Sequence, residues 1–327
     1  MRFIGRLARR NRSSFFGEWW ANYTGGMPRW LRWGIVAVLL LGCAYYWLLL
    51  ESHVPGGGSF TIDMPLVRRL AGSLPGDKPR AIHVEQIAVF EFPGIAMVAG
   101  DSWALRKVPV FSYQLIYPDH TAIIDTAIDP KLIKEMHVSE FDAGAYARMS
   151  KALEAATLIV ITHEHPDHIG GLTAQADLQK LLKRVRLTRN QVEHPDKMLP
   201  AAFPTGALAG YSPLNDEPYQ AVAPGVVLIR SPGHSPGSQM IFVQTAEGAE
   251  FLFLGDVAWL SRNVERARER ARLITWYLKE DRTQVLWELA ALRSLHEAEP
   301  KLHMIPGHDG TAVAELIETR ALHPGFE

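Results

Sequence analysis

The stretch THEHPDHIGG, Thr162 to Gly171, decides the fold of this chain. It directly follows the apolar run Leu158 to Ile161, which predicts a buried strand. Three histidines and one aspartate stand within the short segment from His163 to His168. Polar side chains gathered at the end of a buried strand cost free energy unless something pairs with them. Bound cations would offset that cost, so the stretch predicts a metal site at a strand end.

Three later loops carry further metal-type ligands, each after a predicted strand. A glycine immediately precedes each ligand, which lets the backbone turn tightly or approach closely. The ligands are His234 in SPGHS, Asp256 in LGD and His308 in PGHD. A single H-x-H is common by chance, whereas this combination is far more specific. The only cysteine is Cys43, so imidazoles and carboxylates would bind the metal, which favours zinc, with manganese or iron as alternatives.

This constellation resembles that of the metallo-β-lactamase superfamily of hydrolases, over most of residues 60–327. The resemblance implies an α/β fold, an αββα sandwich of two mixed β-sheets flanked by helices. It also implies two divalent metal ions at one edge of the sandwich, bound by two sets of ligands that share a bridging carboxylate. The first set would be His163, His165 and His234, the second set Asp167, His168 and His308, and the bridge Asp256.

The resemblance extends upstream to Asp125, in the sequence IIDTA. The family has Asp-Thr-Gly at this point, and here Ala127 replaces the glycine. The resemblance implies that Asp125 orients metal ligands from outside the metal shell. A simple cap at the end of a strand is the alternative interpretation.

The implied chemistry is hydrolysis by a water that two metals share. Metals about 3.5–4 Å apart lower the pKa of such a water towards ~7, and the hydroxide attacks a carbonyl or phosphoryl centre. Asp167 would accept the proton and pass it to the leaving group, and Asp256 is the second predicted catalytic carboxylate.

For the small-molecule substrate, the chain looks similar to the lactonases of this superfamily, which favours a lactone or an ester. Many of those enzymes have a tyrosine three residues after the bridging aspartate, where this chain has Trp259. An indole nitrogen only donates a hydrogen bond, so the carbonyl contact of the tyrosine would change. The long, proline-rich loop 195–224 is the predicted pocket wall, with Phe203, Tyr211 and Tyr219 as candidate contacts.

Three alternatives stay open. Thioester hydrolases of the glyoxalase II type share all seven ligands, but their basic residues for glutathione have no clear match here. The arginine run from Arg262 to Arg272 instead indicates a solvated helix face. β-Lactamases of the superfamily generally lack the bridging aspartate, and a metal-binding structural module would show a gap among the ligands, which this chain does not.

The N-terminus predicts a membrane anchor. Residues 33–50 contain no charged side chain and span about 27 Å as a helix, just enough for a bilayer core. Trp30, Trp33 and Tyr45 suit interfacial positions at its two ends. Residues 1–32 hold seven arginines and one acid, which predicts a cytoplasmic N-terminus and a body on the far side of the membrane, the periplasm in a Gram-negative cell.

The chain therefore divides into a basic segment 1–32, a transmembrane helix 33–50, a linker 51–59 and a hydrolase domain 60–327. The linker VPGGGS has the composition of a flexible connection. A removable signal peptide and lipoprotein processing at Cys43 are weaker alternatives, because no A-x-A site follows and the sequence stays apolar after Cys43. The expected partners are a small-molecule substrate and the lipid bilayer.

The composition is that of a globular protein with a sizeable core, with 47% hydrophobic and 21% charged residues. The formal net charge is −1; without residues 1–32 it is 27 basic against 34 acidic residues, or −7. A mildly acidic body predicts no nucleic-acid partner. The hydrophobic pattern predicts alternating strands and helices, including helices over residues 174–183 and 259–278.

Overall fold

The computed structural model describes residues 26–327, so most of the basic segment lies outside the described residues. The chain separates into two units, residues 1–48 and residues 49–327. In the first, helix α1 (Arg29–Tyr45) continues into a π-helical turn, Tyr46–Leu50. The span Arg29–Leu50 is long and apolar enough to cross a membrane, a property that signal sequences share.

The second unit alternates strands with short helices. Its strands are β1 (Ala81–Pro93), β2 (Leu105–Ile116), β3 (Thr121–Ile124), β4 (Glu140–Phe141), β5 (Leu158–Val160), β6 (Val185–Arg186), β7 (Tyr219–Ala223), β8 (Val226–Arg230), β9 (Gln239–Gln244), β10 (Glu250–Gly255), β11 (His303–Pro306) and β12 (His323–Pro324). Its α-helices are α2 (Met64–Ala71), α3 (Gly94–Met97), α4 (Ala143–Ala155), α5 (Pro166–Thr173), α6 (Leu178–Leu182), α7 (Arg189–Glu193), α8 (Ser261–Arg266), α9 (Arg272–Tyr277), α10 (Arg282–Ala298) and α11 (Gly310–Glu318).

Two mixed sheets form the centre of this unit. The first has seven strands in the order β12-β1-β2-β3-β5-β6, with β4 paired to β1. The second has five strands in the order β11-β10-β9-β8-β7. Parallel pairs such as β3–β5 and β10–β11 lie beside antiparallel pairs such as β1–β2 and β8–β9. The predicted pair of mixed sheets is therefore confirmed.

Three apolar layers hold the sheets and helices together. The middle layer joins the facing sides of the two sheets, with Leu115 and Val160 from the first sheet and Ile241 and Phe253 from the second. A second layer packs α4 and α5 on the outer side of the first sheet. A third packs α2 and α10 on the outer side of the second sheet. This order of layers is the predicted αββα sandwich.

Several local predictions were wrong. The predicted helix 259–278 is two short helices, α8 and α9, because Ala267 turns the backbone with a left-handed φ of 46°. The predicted helix 174–183 is helical only over α6, whereas the HPDH motif itself begins α5. The predicted loop 195–224 contains strand β7 and a short 3-10 turn.

The fold brings the predicted ligands to one edge. Strands β5, β8, β10 and β11 each end a few residues before one of the ligand-bearing loops, and β3 ends just before Asp125. Helix α5 lies directly on the loop after β3, because Thr126 N donates to His168 O (2.7 Å) and Gly171 N donates to Ala127 O (3.0 Å). The loop that carries Asp125 and the helix that carries His168 therefore form one rigid contact.

We expect Gly171→Ala to destabilise the domain strongly. A Cβ at this position would lie 1.9 Å from the backbone oxygen of Thr126, so α5 must move off the loop. Overpacking of this kind costs about 1–3 kcal/mol, occasionally more. The matched control is Gly72→Ala at the end of α2, where φ is −100° and the nearest atom would be 3.8 Å away. Urea unfolding measures the free energy of unfolding of both variants. Equal values would contradict the close packing of α5 on the loop after β3.

Candidate metal centre

The seven predicted ligands lie together in the structure. Four of them, His163, His165, His234 and Asp256, place one ligand atom each within 4.8 Å of one another, as do the other three, Asp167, His168 and His308. The first group is the predicted first set together with Asp256, and the second group has the residues of the predicted second set. In the first set, His234 Nε2 lies only 2.8 Å from His165 Nδ1. In the second, Asp167 Oδ2 lies 3.6 Å from His308 Nε2 and 3.8 Å from His168 Nε2.

Asp256 lies between the two sets and faces both. Its Oδ2 lies 3.8 Å from His163 Nε2 and 3.5 Å from His234 Nε2. Its Oδ1 lies 3.3 Å from His168 Nε2 and 3.2 Å from His308 Nε2. Its Oδ2 also lies 3.3 Å from His308 Nε2. The carboxylate therefore lies close to both sets, which is the position that a bridging ligand needs.

Glycine at position 307 permits this approach. A Cβ on Gly307 would lie 2.3 Å from Asp256 Oδ1, on the carboxylate oxygen that faces the second set. The glycine before His308 is thus required by the close passage of the backbone beside Asp256.

Three of the histidines have an acceptor on the ring nitrogen that points away from the centre. His308 Nδ1 lies 2.8 Å from Pro109 O, and His168 Nδ1 lies 2.8 Å from Asp125 Oδ2. His234 Nδ1 lies 2.5 Å from Glu280 Oε1. An acceptor at Nδ1 fixes the tautomer and leaves the Nε2 lone pair free for a metal, as in many metal sites.

Asp125 combines both roles that the sequence allows. It accepts from Thr162 N at 2.6 Å, which ties the end of β3 to the end of β5, and from Thr162 Oγ1 at 2.7 Å. Its Oδ2 also contacts His168, a member of the second set. The backbone here is left-handed at Asp125 (φ 57°) and at Ala127 (φ 54°). The latter conformation accounts for the glycine of the family motif, because glycine adopts it without strain.

The residues of this centre fit divalent cations. Within residues 26–327, His163 Nε2, His168 Nε2 and Asp256 Oδ1 are buried and have no hydrogen-bond partner. A buried polar atom without a partner costs about 1–3 kcal/mol, and three such atoms here face one small volume. Imidazole and carboxylate groups at this spacing are the ligand set of zinc and related transition metals.

Burial also sets the protonation of the first set. Desolvation holds the pKa values of His163 and His165 well below the usual range, with the neighbouring histidines lowering them further. Both rings are therefore neutral and available as ligands. For Asp256, burial raises the pKa, but the imidazoles of His308 and His168 outweigh it and hold the pKa well below its usual range. Asp256 is therefore ionised.

The comparison with protein families agrees with this geometry. The model of the metallo-beta-lactamase superfamily matches residues 105–308, which is more than half of the chain. The chain belongs to the metallo-beta-lactamase superfamily. It is a metal-dependent hydrolase of that superfamily.

Similar proteins of this superfamily include two curated lactonases from Bacillus. The N-acyl homoserine lactonase AiiA of Bacillus thuringiensis subsp. kurstaki is 23% identical over 177 residues, which are 49% of this chain and 68% of that protein. The N-acyl homoserine lactonase of Bacillus cereus is also 23% identical, over 180 residues, with the same shares of the two chains.

Solved structures show the same fold. One is an N-acyl homoserine lactone hydrolase with the product N-hexanoyl-L-homoserine at its catalytic metal centre. It is 18% identical, with a TM-score of 0.58, over 73% of this chain and 96% of that one. A quorum-quenching N-acyl homoserine lactone lactonase is 19% identical, with a TM-score of 0.57, over 74% of this chain and 95% of that one.

Trp259 stands where many lactonases are expected to have a tyrosine, and it contacts the carboxylate of Asp256. Its Nε1 donates to Asp256 Oδ2 at 2.7 Å, and its side chain is almost completely buried. The guanidinium of Arg270 lies 5.1 Å from the centre of its ring. The indole therefore holds Asp256 in place.

The other predicted pocket residues lie in structural contacts. The Tyr211 hydroxyl donates to Val185 O and accepts from Leu187 N, so it holds the end of β6. Phe203 packs on the same apolar layer as Tyr211. Tyr219 packs on a different layer, and its hydroxyl contacts the backbone before α2. The structure does not bring these three residues together as one wall.

The predicted solvated helix face over Arg262 to Arg272 was wrong for Arg270 and Glu269, which are buried. Arg270 is fully buried, donates from Nη1 to Asp256 O at 2.9 Å, and pairs with Glu280 at 2.5 Å. Glu269 is also buried and pairs with Arg282. Arg270 and Glu280 contact the metal-type cluster, and no sequence motif indicated either of them.

Two further buried carboxylates support the loop that carries His234. Glu164 accepts from Ser235 Oγ at 2.9 Å and from Gly237 N at 3.1 Å. Glu288, on α10, accepts from Gly233 N at 3.2 Å. The loop is therefore held on both sides of His234.

We expect Asp125→Asn to weaken metal binding about 10–100-fold, the usual cost of losing a partner of a metal ligand. An amide would no longer provide the carboxylate that orients His168. Asp142→Asn, at the start of α4, is a control with the same chemical change outside the cluster. Competition with a fluorescent chelator measures the affinities. Equal affinities in the two variants would contradict the orienting role of Asp125.

The stability of the fold should decrease between about pH 4.5 and about pH 8. Burial raises the pKa of Glu288 from 4.5 to about 8, with Asp281 and Glu280 adding to it. The folded state then binds a proton that the unfolded state releases, so stability falls by up to about 1.4 kcal/mol per pH unit and levels off above the folded pKa. Glu288→Gln keeps the acceptor for Gly233 and should remove this slope. If the free energy of unfolding in urea varied with pH in the same way in Glu288→Gln as in the parent chain, this role of Glu288 would be contradicted.

Proposed function

We propose that this chain is a membrane-anchored, dinuclear metal-dependent hydrolase that opens a lactone or cleaves an ester. The carrying observation is the position of Asp256, whose carboxylate lies 3.5 Å from His234 Nε2 in one ligand set and 3.2 Å from His308 Nε2 in the other. A binding module has no need of a carboxylate shared between two cations. Two adjacent cations serve hydrolysis, because together they clamp a substrate oxygen and activate water.

The substrate class rests on the similar proteins. The curated relatives are named N-acyl homoserine lactonases, and one solved structure of the same fold contains N-hexanoyl-L-homoserine at its metal centre. Such a product forms when water adds to the carbonyl carbon of a lactone and the ring C–O bond breaks. We therefore expect a lactone, or an ester of the same polarity, as the substrate of this chain.

The metals, most simply zinc, would supply a Lewis acid and lower the pKa of a water between them. Five imidazoles and two carboxylates of this chain would bind them. Asp167 is the most open of the carboxylates, with a side chain 18% exposed against 3% for Asp256. It can therefore reach both a bound substrate and solvent, and we assign it the transfer of the proton from water to the leaving alkoxide.

We infer that Trp259 has a different role from the tyrosine that many lactonases have at this position. Its N–H is already donated to Asp256, so it is not directed at a substrate carbonyl. Metals held by the seven ligands would then polarise the carbonyl without help from this side chain. We expect Trp259→Phe to alter the position of Asp256 and to lower kcat more than it raises KM.

Anchoring rests on the apolar helix Arg29–Leu50. Its window contains no buried residue, as expected of a helix that faces lipid. The arginines that precede it in the sequence favour a cytoplasmic N-terminus and a catalytic domain on the far side.

The decisive test combines metal content with turnover. The full chain, purified in detergent, should contain about two metals per chain and hydrolyse acyl lactones in preference to nitrocefin or a thioester. His163→Ala and Asp256→Ala should lower turnover to background while the domain stays folded. His296→Ala, an exposed histidine on α10, is the control and should be unchanged.

Three results would count against the proposal. Fast hydrolysis by a metal-free protein would remove the metals from the reaction. Selective hydrolysis of thioesters or of nitrocefin would move the chain to another activity of the superfamily. Two bound metals with no turnover on any of these substrates would favour a structural module.

A further inference from the structure

Helix α9 presents a large apolar face to solvent. Leu273, Trp276 and Tyr277 are exposed, the last two to 75% and 81% of their surface. They stand at positions i, i+3 and i+4 and therefore share one side of the helix. We call this surface the α9 face. A contiguous exposed group of large apolar side chains marks a contact surface.

The segment that follows the apolar helix Arg29–Leu50 is bonded to the start of α9. Glu51, the next residue after that helix, pairs with Arg272, the first residue of α9. It also pairs with Arg282 at 2.9 Å. Ser52 Oγ donates to Glu269 Oε2 at 2.5 Å. Residues 51 and 52, which directly follow the apolar helix in the sequence, are thereby bonded to residues at or near the start of α9 and α10.

A second exposed loop is held at the same place. Leu49 O accepts from Gly100 N at 2.9 Å. Three and five residues further along, Trp103 and Leu105 are more than half exposed. Exposed apolar side chains therefore follow within a few residues of both positions, Gly100 and Arg272, that contact residues 49–52.

We propose that the α9 face docks on the lipid bilayer that anchors the chain, with its side chains among the lipid headgroups. This inference rests on the anchoring in the proposed function. Tryptophan and tyrosine favour that depth of a membrane. Lys279 and Arg266, both exposed on either side of α9, suit the anionic headgroups. A bilayer is the occupant that the chain itself brings to this position, because Glu51 directly follows Leu50.

Docking would place the metal centre beside the membrane surface. Helix α9 lies between Arg270 and Glu280, which contact Asp256 O and His234. The segment 270–280 therefore carries the α9 face and, at its two ends, the residues that contact the metal-type cluster. A substrate that carries a long acyl chain concentrates in the bilayer, so the docked domain would take amphiphilic acyl lactones or esters from the lipid.

The test uses the full chain in phosphatidylglycerol and phosphatidylethanolamine vesicles, with an environment-sensitive fluorophore on a single cysteine. Native Cys43 reports the apolar helix. Leu273→Cys, in a Cys43→Ser background, reports the α9 face. Glu247→Cys in the same background is the control, because it lies exposed in the turn between β9 and β10, at the opposite end of β10 from Asp256. Lipids with a spin label near the headgroup or deep in the chain quench each probe according to its depth.

We expect loss of fluorescence at Leu273 with the headgroup-labelled lipid, at Cys43 with the deep label, and no loss at Glu247. Quenching at Leu273 should disappear when Trp276→Ser and Tyr277→Ser are added. A quenched Cys43 with an unquenched Leu273 would overturn docking and keep the anchor. An unquenched probe at Cys43 would overturn the anchor. In that case quenching at Leu273 would still support docking, and its absence would overturn docking as well. The probe at Leu273 could also report an apolar environment without any quenching by lipid, as between two copies of this chain. That result would overturn docking on the bilayer.

An activity measurement gives an independent readout. Trp276→Ser with Tyr277→Ser lies outside the metal-type cluster, so hydrolysis of a short, water-soluble substrate should be unchanged. Hydrolysis of a long-chain substrate in vesicles should fall several-fold. An equal effect on both substrates, or no effect on either, would contradict the delivery of substrate from the membrane.

Discussion

The architecture of the catalytic domain depends on the burial of seven metal-type ligands at one edge of two sheets. Five imidazoles and two carboxylates meet there, and most of them are shielded from water. Such a group is unfavourable by itself, because charged and polar atoms lose hydration without full compensation. Cations between the ligands would turn that cost into binding energy, which couples the fold of this edge to the metal content of the protein.

A ring of outer contacts makes the arrangement specific. Asp125, Glu280 and the carbonyl of Pro109 each hold one imidazole by its Nδ1. Trp259 holds Asp256 from the side. These partners come from both sheets, so the two halves of the sandwich must assemble before the ligands have their final geometry. Arg270 and Glu280 extend this ring to α9, which links the centre to an exposed surface of the domain.

The sequence was sufficient for the strands and for the ligands because both have strong local signals. The continuous apolar run Leu158–Ile161 predicted β5, and the glycine-preceded ligands His234, Asp256 and His308 lie just after the ends of β8, β10 and β11. The failures have a physical cause in common. Whether Arg270 faces solvent or a carboxylate depends on Glu280 and on the turn at Ala267, and neither leaves a pattern in the sequence. The hydroxyls of Tyr211 and Tyr219 likewise bond to backbone groups far away in the sequence, and such contacts leave no local pattern.

The central claim is that Asp256 joins two metal ions. Anomalous scattering from crystals of the metal-loaded protein, collected on both sides of the absorption edge of the bound element, tests it most directly. The account predicts two anomalous peaks about 3.5–4 Å apart, one on each side of the Asp256 carboxylate. A single peak, or peaks that no oxygen of Asp256 contacts, would contradict it.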